Sequence, residues 1–462
     1  MKKVRHLHFV GIGGSGMSGI AEVLLNQGYQ VSGSDKRGSE VTERLERLGA
    51  TVYLGHKAQN VGAADVVVLS TAIKPPNEEL DYAIEHKIPT IPRAQMLAEL
   101  MRLKTGIAIA GSHGKTTTTS LVAEVIGSGS EDPTIISGGI VEAWGSNAKL
   151  GQGEIMVAEA DESDGSFLFL APIIAVVTNI DEEHLDYYSG LEQIKQAYLD
   201  FINKVPFYGA AILCLDDENI QSLLPQINKK YHTYGLTTQA DLTARNINYK
   251  GLNSHFDVYY HGRKLGQIKL SIPGEYNVRN ALAAIMVGLE FELEFAEIAK
   301  ALSKFTGVNR RFQVRCDKSI MVVDDYAHHP TEIKALLKAA RGYGDKRIIA
   351  LFQPHRYSRT RDQMDEFYKA FYQADVLVLT DIYAASEQPI PGVTSKKIAR
   401  MAKEHHHKAV HYCPTLEDAS ACLRDICQPG DMVLTIGAGS VWRAGVELCK
   451  WITKNEQNEK AD

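Results

Sequence analysis

The chain has no apolar run near the roughly 20 residues needed to cross a bilayer, and its first residues lack the apolar core of a secretory signal. It has no Cys-x-x-Cys pair. Cys214, Cys316, Cys413, Cys422, Cys427 and Cys449 are scattered, which predicts free thiols in a reducing compartment and not a disulfide frame. There is no excess of basic charge: a formal net charge of −6 removes the footprint of a nucleic-acid binder, so any phosphate recognition has to come from local loops. No internal repeat is visible. What is present is ordinary. Apolar residues make up 44% and charged residues 23% of 462 positions, and that length predicts about three domains. The expectation is a cytoplasmic enzyme with neither membrane nor nucleic-acid partners.

Two glycine turns stand out against this background. In the first, the apolar strand of residues 106–110 runs into Gly111, Ser112, His113, Gly114, Lys115, Thr116 and Thr117, and an amphipathic helical pattern follows (Leu121, Val122, Val125, Ile126). Backbone amides of such a loop and the positive end of its helix wrap a polyphosphate. Lys115, expected to face solvent, would reach the terminal phosphates, and the Thr116 hydroxyl would hold Mg²⁺. The strict phosphate-loop pattern wants glycine at position 109, where this chain has Ile109. The spacing predicts an ATP site.

In the second, Gly11, Gly13, Gly14, Ser15 and Gly16 follow the strand His6–Val10, precede a helix from about Met17 to Asn26, and are trailed by Asp35 at the end of another strand. This is the turn that lets backbone approach a diphosphate, with the acid taking a ribose hydroxyl. The pattern does not separate NAD from a UDP-sugar. A third strand, 65–70, ends at Ser70, Thr71 and Ala72, which complete the candidate sugar-nucleotide set.

Ligands of open α/β sheets sit beyond the carboxyl ends of strands. The runs 154–158 and 173–178 end in Glu159-Ala160-Asp161-Glu162 and in Asp181-Glu182-Glu183-His184, so Thr116, Glu159 and His184 are candidate Mg²⁺ ligands. Histidine is an unusual Mg²⁺ ligand, and a capping role is its plainer reading. Near 255–272 the pattern changes to an alternating hairpin around His261-Gly262, followed by a helix at about 278–290. After residue 309 a further block carries Asp325 and His328 past an apolar strand, and a loop with His355, Arg356 and Arg359 past another. A dense arginine loop suits a carboxylate or phosphate. His405-His406-His407 reads as an exposed run. The whole predicts an α/β protein of three domains: Rossmann-like at 1–93, a central P-loop ATPase-type domain with a small antiparallel element at 94–308, and Rossmann-like again at 309–462.

The order Gly-Ile-Gly-Gly-Ser-Gly-Met-Ser-Gly, Gly-Ser-His-Gly-Lys-Thr-Thr, Glu-Ala-Asp-Glu-Ser-Asp, Asn-x-x-Asn-Ala, Arg-Arg-Phe and Asp-Asp-Tyr-Ala-His-His-Pro-Thr-Glu resembles the Mur ligase family from about residue 5 to 450. The resemblance implies a UDP-sugar domain, a central ATPase domain and a C-terminal amino-acid domain. It also implies an ATP- and Mg²⁺-dependent amide ligation with UDP-N-acetylmuramate and L-alanine as substrates. On it, Asn277 and Asn280 would approach the adenine, Arg311 and Asp325 would reach ATP, and Lys115, Glu159, His184, His328, Arg356 and Arg359 would carry the chemistry. Several sister ligases have a carbamylated lysine at a place that Tyr198 occupies here by an ungapped count. Three other readings stay open: a recycling ligase that takes a ready-made murein peptide, an NAD-dependent dehydrogenase, and a nucleotide-binding regulator without chemistry.

Overall fold

The computed structural model describes residues 4–70, 72–129, 131–141 and 146–458. Thr71 of the expected sugar-nucleotide set lies outside them. Three sheets organise the described residues.

The first is parallel and runs, in spatial order, Thr51–Leu54, Gln30–Asp35, His6–Val10, Val66–Leu69, Thr90–Pro92. His6–Val10 is central and largely buried on both faces, with Leu7 and Phe9 on one and the His8 ring on the other. Its partners reverse direction of travel across the sheet at this strand. That is the switch point at which an open α/β sheet leaves a crevice for a ligand.

In the second sheet Thr105–Ala110 lies between Ile174–Val177 and Ile155–Glu159, all parallel. Register pairs Ile109 with Glu159 and Ala110 with Val177, so the phosphate loop, Glu159 and Thr178 leave one edge together. Leu242–Lys250, Asn253–Tyr260 and Arg263–Leu270 extend this sheet at its far side, the last two forming the expected hairpin around His261-Gly262.

The third sheet runs Gln313–Asp317, Met321–Asp325, Met432–Ile436, Ile348–Phe352, Val376–Leu379, Val410–Tyr412, with its first strand antiparallel. Alternate residues of each central strand enter opposite cores. Met321, Val323, Ala350 and Phe352 pack on one face, and Val322, Ile349 and Leu351 on the other. Burial on both faces explains why these strands read as continuous apolar runs.

The chain separates into two compact units. One holds residues 1–245, 258–266 and 279–302, and the other 246–257, 267–278 and 303–462. The first two sheets thus share a unit, and the boundary runs through the antiparallel strands. None of the described helices is long and apolar enough to cross a membrane. The expected exposed histidine run is corrected at one position. His405 and His406 are exposed, but His407 is buried with its Nε2 3.2 Å from the Phe371 carbonyl.

Candidate active site

Most helices that begin after a polar residue are capped by it, as at Ser39, Asn77, Thr394 and Thr415. The helices after the two glycine turns are not. Ser15–Asn26 starts at Gly14 and Lys115–Ile126 at Gly114, neither with a side-chain cap. A helix start without a cap leaves amides pointing outward, which is what a phosphate requires.

The Gly111–Thr117 loop is braced by the neighbouring strand end. Thr178 Oγ1 donates to the His113 carbonyl (2.6 Å), Asn179 Nδ2 donates to the same oxygen (2.9 Å), and the His113 amide donates to Asn179 Oδ1 (2.8 Å). The Asp181 amide donates to Ser112 Oγ (2.8 Å), and His113 Nε2 lies 2.9 Å from Asp181 Oδ2. None of Thr178, Asn179 or Asp181 carries a motif of its own; only their strand-end position pointed to them. Gly111 has φ 138°, and a Cβ there would fall on Thr178 Oγ1. Gly111→Ala is therefore expected to raise the apparent KM for ATP at least about tenfold through a displaced loop, a loss read by ATP titration of initial rates.

Lys115 is less exposed than expected of a loop lysine. Its Nζ donates to the carbonyls of Gly111 (2.6 Å) and Ser112 (3.2 Å) and to Glu162 Oε1 (2.8 Å). Burial works against the charge, but Glu162, Glu159 and Asp161 push the pKa above the usual lysine range, so the group stays cationic. Next to it, Thr116 Oγ1 lies 3.1 Å from Glu159 Oε2, which also accepts from the Gly138 amide (2.7 Å).

The expected metal set of Thr116, Glu159 and His184 divides in two. Thr116 and Glu159 stand together, while His184 groups with Glu162 and Glu183, their ligand atoms all within 4.8 Å of one another. Glu162 Oε2 is buried without a hydrogen-bond partner among the described residues. His184 holds φ 56°, in the left-handed region that a minority of non-glycine residues adopt. The oxygen pair and the carboxylates of the second cluster suit a hard divalent cation that retains water, for which the His184 imidazole is an uncommon ligand. Asn280 is buried with Oδ1 2.8 Å from where a Gly114 Cβ would stand, so it lies against the phosphate loop. Asn277 is buried and donates to the Pro273 carbonyl (2.7 Å).

At the Gly11–Gly16 turn, Gly11 and Ile12 amides donate to the Ser34 carbonyl (2.8 and 3.0 Å) and the Gly13 amide to Asp35 Oδ2 (2.9 Å). Asp35 thus anchors the turn through one oxygen. Arg93 reaches the start of the same helix: a Cβ on Gly16 would lie 2.9 Å from its Nη1, and its Nη2 is 3.5 Å from Asp161 Oδ2. The sequence offered no signal for this arginine. Ser70 Oγ accepts from the Ala72 amide (3.4 Å) and lies beside Gly11.

In the second unit Asp325 is buried, and its two oxygens accept from the Phe312 (2.7 Å) and Ala327 (2.8 Å) amides. Burial raises its pKa to about 6 against the pull of Arg311 and those amides. It therefore anchors its own strand end, close to Arg311. That residue is part-exposed over the Tyr326 ring, with Nη1 3.6 Å from Glu332. His328 Nδ1 lies 3.0 Å from the Tyr326 carbonyl, and its ring centroid is 6.4 Å from that of His355.

The two loop arginines differ. Arg356, at φ 70°, is tied to Glu387 (2.6 Å), which also binds Ser358. Arg359 has no carboxylate partner among the described residues; its Nη1 is 3.4 Å from His355 Nδ1. His355 is stacked on Tyr383. Burial first, then Arg359, His328 and Arg356, pull its pKa down to about 3, so it is neutral at neutral pH and its Nδ1 accepts from Arg359.

Residues 6–105 match the Mur ligase family catalytic domain, 109–288 the Mur ligase middle domain, and 310–439 the Mur ligase glutamate ligase domain. The chain is 58% identical over 455 residues to the UDP-N-acetylmuramate–L-alanine ligase of Syntrophotalea carbinolica, covering 98% of this chain and 99% of that protein. It is 56% identical over 447 residues to the protein of that name from Geotalea daltonii, covering 96% and 98%. The crystal structure of the UDP-N-acetylmuramate–alanine ligase of Thermotoga maritima superposes with a TM-score of 0.82 at 28% identity, over 98% of this chain and 100% of that one. A murein peptide ligase from Psychrobacter arcticus shares the fold, with a TM-score of 0.70 at 23% identity over 96% and 98%. With two uncapped glycine-turn helices, a caged loop lysine and three matched domains in order, the chain belongs to the Mur ligase family.

Proposed function

We propose that this protein joins L-alanine to the lactyl carboxylate of UDP-N-acetylmuramate at the expense of ATP, a step of peptidoglycan precursor synthesis. The observation that carries the reading is the braced loop with Lys115 over an open helix start, in a chain 58% identical, almost end to end, to a ligase of those substrates. A carboxylate oxygen of the sugar nucleotide attacks the γ-phosphorus of ATP, and ADP leaves. The amine of L-alanine then attacks the acyl phosphate, loses a proton, and the tetrahedral species expels inorganic phosphate to leave the amide. Lys115 and the loop amides stabilise charge on the transferred phosphoryl group. Thr116 with Glu159, and Glu162 with Glu183 and His184, are the residues that would hold Mg²⁺, whose chemistry is to neutralise phosphate charge. Asn277, Asn280, Arg311 and Asp325 serve the ATP side, directly or by anchoring, and Arg359 beside His328 and His355 serves the amino-acid carboxylate. ATP as substrate sets the reaction in the cytoplasm. Three sheets and three family matches in order support a division into three domains, which we set at 1–93, 94–308 and 309–462, although the first match continues to residue 105.

Phosphate release from ATP, measured with UDP-N-acetylmuramate and a panel of alanine, serine, glycine and murein tripeptide, tests this. Release should require both co-substrates, with alanine preferred. Turnover with the tripeptide alone would favour the recycling reaction, and NAD binding in a titration would revive the dehydrogenase reading, which leaves residues 110–119 without a role.

Glu159→Ala and His184→Ala should each shift the Mg²⁺ concentration for half-maximal activity upward by about tenfold, since each removes a ligand or its water bridge. A wild-type Mg²⁺ titration in both would make them ordinary strand-end polar groups.

A further inference from the structure

Glu79 is fully buried beneath the sugar-nucleotide edge of the first sheet, at the start of the helix Glu78–Glu85. A buried carboxylate is costly unless every lone pair is met. Here Ser34 Oγ donates to Oε2 at 2.6 Å and Asn60 Nδ2 to Oε1 at 2.7 Å, while His56 Nδ1 is 3.2 Å from Oε2 and His8 Nε2 3.5 Å from Oε1. Burial opposes its charge, but hydrogen bonds from His8, Ser34 and Asn60 hold its pKa below the usual glutamate range.

The donors belong to different parts of the crevice. Ser34 precedes Asp35 at the end of its strand. His56 and Asn60 follow the strand Thr51–Leu54, and Asn60 also donates to the Gly55 carbonyl (3.0 Å). The serine hydroxyl has one proton and gives it to Glu79. His56 Nδ1, 2.8 Å from Ser34 Oγ, must therefore carry its own proton toward the pair. The same Ser34 offers the carbonyl that accepts the first two amides of the glycine turn. An apolar side chain would fill this core at no ionic cost. What the carboxylate adds is one orientation for the hydroxyl of Ser34, the residue whose carbonyl receives Gly11 and Ile12.

We propose that Glu79 is a positioning residue for the sugar nucleotide: through Ser34 it sets the glycine turn that receives the diphosphate. This rests on the reading that the turn binds UDP-N-acetylmuramate. In Glu79→Gln, which keeps the volume but loses one acceptor, the KM for UDP-N-acetylmuramate should rise about tenfold, with kcat and the KM values for ATP and L-alanine within about twofold of wild type. Ser34→Ala should act in the same direction, and the double variant should be no worse than the more affected single one, because both break one link. Calorimetric titration with UDP-N-acetylmuramate should report the same loss. An unchanged sugar-nucleotide KM, or an equal rise in all three KM values, would overturn the proposal. If Glu79→Gln does not fold, the same outcomes in Ser34→Ala decide it. Gly13→Val separates this from the underlying reading, because its Cβ meets Asp35 and Thr42 at the turn itself. If that variant impairs ATP and spares the sugar nucleotide, the turn has been given the wrong ligand. If it impairs the sugar nucleotide while Glu79→Gln and Ser34→Ala do not, only the positioning role falls.

Discussion

Replacing Lys115 with alanine is expected to lower ligation by about 10³-fold or more, the usual scale for removing a fixed cation from a phosphoryl-transfer transition state. The lysine is held by two loop carbonyls and Glu162, so its ammonium is already placed before any substrate binds. That pre-organisation has a second consequence. Alanine would leave the Glu162 carboxylate, 2% exposed, without its cation, and an unpaired buried charge destabilises a fold. The variant should therefore melt below the wild type as well as turn over slowly. Lys115→Ala/Glu162→Gln should recover most of the lost melting temperature and none of the activity. Normal turnover in the folded single variant would remove the ATP assignment from this loop.

Arg359→Lys should raise the apparent KM for L-alanine by about tenfold or more while leaving the KM for ATP nearly unchanged, although the charge is kept. A planar guanidinium pairs both oxygens of a carboxylate and thereby orients the amine for attack; an ammonium does not. Arg359 is singled out over Arg356 because Arg356 is spent on Glu387, whereas Arg359 has no carboxylate partner among the described residues and reaches the neutral His355. Arg356→Lys should accordingly act mainly through stability and the shape of the loop. An unchanged alanine KM in Arg359→Lys would put the carboxylate clamp elsewhere in the second unit.

Much of this was open to reading along the chain. Both glycine turns, the strand ends that carry Glu159, His184, Asp325 and Arg356, and the hairpin around His261 stand where local pattern predicts, because strand burial and loop chemistry are short-range properties. The division of labour within each cluster was not. Glu159 and His184 look equivalent as strand-end polar residues, yet register sets Glu159 beside Thr116, and chain path sets His184 beside Glu162 and Glu183. Asp325 reads as an exposed acid at a functional edge, but two amides from its own neighbourhood turn it inward.

By itself the sequence determined the class of fold and the two glycine turns, because those depend on residue spacing within one strand–turn–helix unit; the family of reaction came from the order of motifs along nearly the whole chain. Tertiary structure alone decided which charges are spent and which are free. Lys115 is clamped by Glu162 and Arg356 by Glu387, Arg359 has no carboxylate partner among the described residues, and Glu79 is enclosed by four side chains from three segments. Pairing energies fall steeply with distance and rise with burial, so residues dozens of positions apart settle such questions only when the sheets bring them together.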